Sequence, residues 1–349
     1  MISRFAPPCL LATVLWACSS NPDQLIPLED LPDTGSQPHA DSGVTTLPDA
    51  SPAPDGAIVD VTPPEATDAS DAQAPSGTLP AKILGVYFFM YNTPPLSTIQ
   101  ASAPQYNVMY YAFAIGTNNG GNVTFSVPSG GGDAKFKSDV QAWKASGRIA
   151  LLSIGGGSDT GLRLLNASQG TQFVNSITPI IQSYGFQGID WDLEQGTSQF
   201  SPSVVVSVSQ QLKQKFGKSF VISIVPRPYE FRSYANPHPY RDVATGLGSD
   251  LDLIQFQFYD YPESNNANQQ MSIISSDVND AIKNFPASKI VIGAESPNAG
   301  TAWSPATVYR DAYVKLNGST GGLRGAFVWD SPNEQASGWT FAKTVGPSL

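Results

Sequence analysis

The sequence predicts an α/β protein: a single TIM (β/α)8 barrel over residues 81–349, preceded by a disordered linker. Three observations lead there. Apolar runs of strand length recur eight times after Lys82, stretches with helical apolar spacing lie between them, and the whole series fits within one large domain. The first run is Ile83–Phe89, followed by a weak helical pattern near Leu96–Ala103. Val108–Ile115 leads into Gly116–Asp133, a Gly-rich excursion rather than a helix. Phe136, Val140 and Trp143 then share one helical face before the strand Arg148–Ile154. Phe173, Ile177 and Ile181 precede Phe186–Leu193, and Val205, Val208 and Leu212 precede Phe220–Val225. Leu251–Tyr259 is followed by Ile274, Val278 and Ile282, then by the last two runs, Lys289–Ala294 and Gly325–Trp329. Nearly continuous apolar strands alternating with helices imply a parallel sheet covered on its outer face. A doubly wound sheet competes, but the count of eight and the absence of a Gly-x-Gly-x-x-Gly turn argue against it.

The first 18 residues form a separate unit. Arg4 is followed by a short apolar stretch running through Cys9 to Ala17, which describes a signal for export. Leu15-Trp16-Ala17-Cys18 resembles the bacterial lipoprotein box, making Cys18 a lipidation site and a membrane attachment point; a plain secretory signal is the alternative. The expected location is a bacterial membrane or cell surface, otherwise the secreted fraction. Residues 19–80 hold eleven Pro and no aromatic residue, so they cannot bury enough apolar area to offset the entropy of ordering. They read as an extended tether with a reach of about 40–50 Å.

Charge follows the same division. The net charge is −10, and residues 19–81 carry eleven acids with no Lys or Arg, whereas residues 82–349 balance 18 acids with 18 bases. No basic surface for nucleic acid is available. The tether's acids lack the spacing of a calcium loop. Two His and two Cys leave little scope for zinc or His-based catalysis, and no cofactor or metal is expected.

The chemistry concentrates at the end of the fourth run, Gly188-Ile189-Asp190-Trp191-Asp192-Leu193-Glu194. Side chains alternate along a strand, so Asp190, Asp192 and Glu194 face the barrel interior together. Stacking three carboxyls in low dielectric forces at least one to hold a proton, a cost that a purely structural strand has no reason to carry. In such barrels the C-terminal strand ends carry the active site.

These residues resemble family 18 glycoside hydrolases, whose fourth strand reads D-G-x-D-x-D-x-E. Ser153-Ile154-Gly155-Gly156 is similar to the family's S-x-G-G, Tyr110-Tyr111-Ala112-Phe113 to its second-strand Ala-Phe, and Gln257-Phe258-Tyr259-Asp260 to its sixth-strand motif. Trp329 falls where the eighth strand supplies a Trp floor. Two positions depart from the pattern: Gln187 replaces the motif's leading Asp, and Val225-Pro226-Arg227 replaces Ala-Pro-Glu.

The two His residues, His39 and His238, lie in the tether and a loop, so the proton donor is expected to be a carboxyl. Glu194, beside Asp192, is the candidate, with a raised pKa. The resemblance implies substrate-assisted hydrolysis of β-1,4-linked N-acetylglucosamine polymers, in which the sugar's own acetamido oxygen attacks the anomeric carbon. It implies that Asp192 orients the acetamido N–H and that Asp190 shares a proton with Asp192. Tyr259 would bind the acetamido carbonyl, Asp260 would support the ring or Tyr259, and Trp329 would stack on the sugar. Gln257 and Tyr87 are further substrate-contact candidates. The short span between the last two strands leaves no room for the family's α+β insertion, which implies a shallow groove and internal cleavage; a monomer is expected. The resemblance also implies cis peptides at Ala112–Phe113 and Trp329–Asp330. Endo-β-N-acetylglucosaminidase action on N-glycans, or a non-catalytic sugar-binding barrel, remain alternatives.

Overall fold

The computed structural model describes residues 77–90, 93–127, 132–259, 266–297 and 305–349. The predicted signal segment with Cys18, the predicted tether through residue 76, and Asp260 lie outside the described residues. Among the described residues no helix is long and apolar enough to cross a membrane.

Strand β1 (Ile83–Phe89) is followed by α1 (Leu96–Ser102), β2 (Val108–Gly116), β3 (Val123–Phe125), α2 (Gly132–Ala145), β4 (Ile149–Gly155), α3 (Ala167–Tyr184) and β5 (Gly188–Asp192). Next come α4 (Pro202–Phe216), β6 (Val221–Ile224), α5 (Pro239–Leu247), β7 (Leu253–Gln257), α6 (Ala267–Ala281) and β8 (Ile290–Glu295). The chain ends with α7 (Ala306–Thr320), β9 (Gly325–Trp329), α8 (Ser331–Ala336) and α9 (Thr340–Val345). All strands except β3 pair in parallel, in the order β1-β9-β8-β7-β6-β5-β4-β2, and β1 pairs with β2 to close an eight-stranded barrel. The Gly-rich excursion supplies β3, which folds back antiparallel on the end of β2.

Helices α2, α3, α4 and α6 form where the apolar spacing placed them. In α3, Phe173, Ile177 and Ile181 are fully buried; Asn166 caps the N-terminus by accepting from the Gln169 N–H, and Gly185 ends the helix in the left-handed region. The indole N–H of Trp143 on α2 donates to the Ile149 carbonyl, and that of Trp191 on β5 to the Ser209 hydroxyl on α4. These bonds satisfy the two largest fully buried rings among the described residues.

Inside the barrel, side chains stack in layers. An apolar layer includes Ile83, Val108, Ile149, Val221, Leu253 and Val291. Above it a polar layer follows the register Ser153–Asp190–Ser223 across β4, β5 and β6, and Gln255 of β7 joins it by hydrogen bonds. Gln187 sits at the opposite end of β5, where its side-chain oxygen accepts from the Ala150 N–H. The family-pattern departure at Gln187 is therefore a strand-joining contact remote from the C-terminal strand ends. The barrel begins slightly earlier than the predicted linker boundary, because Leu79 packs against the inner cluster and the Pro80 carbonyl accepts from Arg324.

Candidate active site

At the C-terminal end of the barrel, a cavity of about 280 Å³ is lined by Phe89, Phe113, Gly157, Ser158, Asp192, Glu194, Gln257, Tyr259, Glu295 and Trp329. These residues come from β1, β2, β5, β7, β8 and β9 and from the segments after β4, β5 and β7. The predicted carboxyls are there in order of depth. Asp190 is completely buried, Asp192 lines the cavity floor, and Glu194 stands at the mouth with a fifth of its side chain exposed.

Asp190 is held from several sides. The hydroxyls of Tyr87 (2.7 Å) and Ser153 (2.9 Å) donate to its Oδ2, and Gln255 Nε2 donates to its Oδ1 at 3.0 Å. Gln255 also accepts from Tyr110 and donates to Ser223, so its amide is oriented by the same network. Burial raises the Asp190 pKa, while the donors pull it back down. Tyr87 is itself pushed well above the ordinary phenol range, by burial and then by Asp190, which keeps its proton available for donation. The sugar contact expected of Tyr87 is thereby corrected: its ring is buried on Tyr110, centroids 4.7 Å apart, and its hydroxyl serves Asp190 beneath the cavity.

One layer higher, Gln257 Nε2 donates to Asp192 Oδ1 and to the Val225 carbonyl, both at 3.0 Å. The Asp192 pKa is raised well above the ordinary value, first by burial and then by the charges of Glu194 and Asp190; Arg227 opposes the rise. Trp329 is wedged among Phe113 (5.6 Å, stacked), Phe89 (5.4 Å) and Tyr87 (5.5 Å), which fixes its indole plane at the cavity wall. Tyr259 lines the same cavity beside it, and Asp260 lies outside the described residues. Cis peptides occur at Ala112–Phe113 and Trp329–Asp330.

The Ser153–Gly156 motif has a local steric reason. Gly155 adopts φ 107°, and a Cβ there would lie 2.3 Å from the Asp192 carbonyl oxygen; the Gly156 N–H donates to that same oxygen at 2.7 Å. Beyond Asp192 the strand ladder ends because the Leu193 N–H is taken by the Tyr240 hydroxyl of α5, which also donates to the Trp191 carbonyl at 3.1 Å. The chain turns there, and Glu194 leaves the strand with its carboxyl beside Gly157.

Several residues of the site escaped the sequence reading. Glu295 shares the inward parity of Val291 and Gly293, and extending that strand by one residue would have found it. Gln255 stands two residues before Gln257 and follows by the same rule. Tyr240 carries no periodic signal, since it reaches β5 from another element, and Arg227 stood out only as a departure from the family's Ala-Pro-Glu, not for its contact with Glu194. A larger open groove of about 610 Å³ lies beside α5, but its cations are engaged within the fold: Arg241 with Asp280 and Asn284, Lys289 with the carbonyls of Gly248 and Leu251.

A carboxyl-lined, aromatic-walled cavity at the strand ends of a (β/α)8 barrel defines a carbohydrate-processing class of site. The family profile described as Glycosyl hydrolases family 18 matches residues 83–337. The chain belongs to that family. It is 28% identical to Chitinase Chi52 of Paenibacillus xylanexedens over 55% of its own length and 40% of that protein, so it spans less than half of that relative. Among solved structures, a family 18 chitinase from Chromobacterium violaceum superposes with a TM-score of 0.64 at 26% identity, covering 81% of this chain and 90% of the other. A fungal endo-β-N-acetylglucosaminidase of the same family shares the fold, with a TM-score of 0.62 at 20% identity over 78% and 99% of the two chains.

Proposed function

We propose that this protein hydrolyses β-1,4-linked N-acetylglucosamine polymers at internal bonds, with retention of configuration and with the substrate's acetamido group as nucleophile. The observation that carries the reading is the graded carboxyl series Asp190, Asp192 and Glu194 at one strand end, opening into a cavity that also presents Gln257, Tyr259 and Trp329. Glu194, the most exposed of the three, protonates the leaving oxygen and later activates water. Asp192 accepts from the acetamido N–H and balances the positive charge of the oxazolinium ion. Asp190, held by three donors, fixes the charge beneath Asp192. Tyr259 donates to the acetamido oxygen, and Trp329 gives the sugar ring an apolar face.

The test is to incubate chitin oligomers and high-mannose glycopeptides side by side and follow fresh product by NMR. The expected result is cleavage of the chitin oligomers with the β-anomer appearing first. An initial α-anomer would overturn the acetamido route. Cleavage of glycopeptides alone would assign the site to N-glycans instead. We further propose export through residues 1–18 with lipid attachment at Cys18. Metabolic labelling with an alkynyl fatty acid is expected to mark the protein and to be lost in Cys18→Ser; unlabelled wild-type protein would leave a plain secretory signal.

A further inference from the structure

We propose that Arg227, where the sequence departs from the family's Ala-Pro-Glu, is a positioning residue for Glu194 and so determines how well the site protonates poor leaving groups. The inference rests on Glu194 being the proton donor. Arg227 stands just beyond β6, and its Nη2 donates to the Glu194 main-chain carbonyl and to Glu230 Oε1, both at 2.6 Å. Its Nη1 lies 3.8 Å from Glu194 Oε2. The Arg227 N–H donates to the other Glu230 oxygen at 3.1 Å, so Glu230 grips both the main chain and the side chain of Arg227.

That grip is anchored in the core. Glu230 is buried, and the next residue, Phe231, is buried against Phe256 (5.1 Å) and Phe285 (5.3 Å). The outer face of the guanidinium is covered by the Tyr229 ring, 5.1 Å away. A planar cation fixed in this way has two functions that a neutral side chain lacks. It supplies a donor to the carbonyl of the residue that has just left the strand ladder, and it places a permanent positive charge beside that residue's carboxylate. Glu194 must hold its carboxyl at the leaving oxygen in one turnover step and near the attacking water in the next. Its turn is pinned on the β5 side by Tyr240 at Leu193 and on the β6 side by Arg227. Loss of the second pin lets the carboxyl wander, and misplacement of about 1 Å can cost about 10²-fold in rate.

The test compares Arg227→Met with wild type on two substrates in the same preparation: an N-acetylchitooligosaccharide, whose sugar leaving group needs protonation, and an aryl chitobioside, whose phenolate leaving group barely needs it. The expected result is a fall in kcat/KM of about 10–100-fold on the oligosaccharide and of less than about 3-fold on the aryl substrate. The ratio cancels the fraction of correctly folded enzyme. Arg227→Lys, which keeps the charge but not the fork, is expected to restore part of the ratio. Equal loss on both substrates, or no loss on either, overturns the inference. Glu194→Gln in the same assay separates the two claims: full activity there sinks the donor assignment itself, whereas an inactive Glu194→Gln with an unchanged Arg227→Met ratio sinks only the role of Arg227.

Discussion

Glu194→Gln is expected to lower kcat on N-acetylchitooligosaccharides by about 10²–10⁴-fold, the usual contribution of a positioned acid–base group, while oligosaccharide affinity stays within about 3-fold of wild type. The reason is geometric. Gln matches Glu in shape, so the side chain can occupy the same space beside Gly157, and the Arg227 contact to the main-chain carbonyl of residue 194 is untouched. The walls that hold the sugar, Trp329 with Phe113 and Tyr259 with Gln257, do not depend on residue 194. What disappears is the ability to give up a proton to the departing oxygen, and neither Asp190 nor Asp192 is placed to take over. Asp190 is sealed beneath the cavity under three donors, and Asp192 is held by Gln257 one layer below Glu194. Isothermal titration of the variant with an oligosaccharide, alongside steady-state rates, separates the two quantities. A variant that cleaves at the wild-type rate rules out Glu194 as the donor; one that neither binds nor cleaves implies that the change damaged the cavity rather than the chemistry.

The period-two pattern of the strands made most of this site legible. It placed Asp190 and Asp192 inside the barrel and Gln257 on an inward position, while the nearly continuous apolar runs found all eight barrel strands to within two residues and the family resemblance supplied Trp329. Periodicity reports the face of a strand but not the depth along it, because depth is set by the stagger between neighbouring strands. Tyr87 and Phe89 share an inward face on β1, yet Tyr87 lies in the layer beneath Asp192 while Phe89 lines the cavity. That distinction decides whether an aromatic touches sugar or supports a carboxylate, and it depends on the register Tyr87–Tyr110–Leu151, which no single strand encodes. The pins at Tyr240 and Arg227 were illegible for a different reason. Each is a side chain from one element bonded to the main chain of another, and a main-chain carbonyl or N–H leaves no mark in a sequence.

Asp192→Asn should show catalysis and stability pulling in opposite directions. In the proposed chemistry the ionised Asp192 accepts from the acetamido N–H and balances positive charge at the oxazolinium ion. A neutral amide does the second poorly, so kcat is expected to fall by about 10²–10³-fold, the scale for losing one preorganised electrostatic contact. The same substitution should stabilise the fold at neutral pH. Burial, Glu194 and Asp190 hold the Asp192 pKa above its unfolded value of about 3.9. Between those two values the native state binds more protons than the unfolded chain, so stability falls as pH rises, and the full penalty stands once pH passes the folded value. Below about pH 4 both states are protonated and the penalty vanishes. Asn never pays it, yet its oxygen can still accept from Gln257. Thermal melts of both proteins from pH 3.5 to 8 should therefore diverge upward, the variant gaining about 2–4 °C for each kcal/mol relieved and the gap closing toward pH 4. Asp190 is common to both proteins, so the difference isolates Asp192 and its coupling to its neighbours. A gap that does not change with pH, or a variant less stable at pH 8, would mean that the buried charge costs the fold nothing, and the argument that catalysis is what retains it would fail.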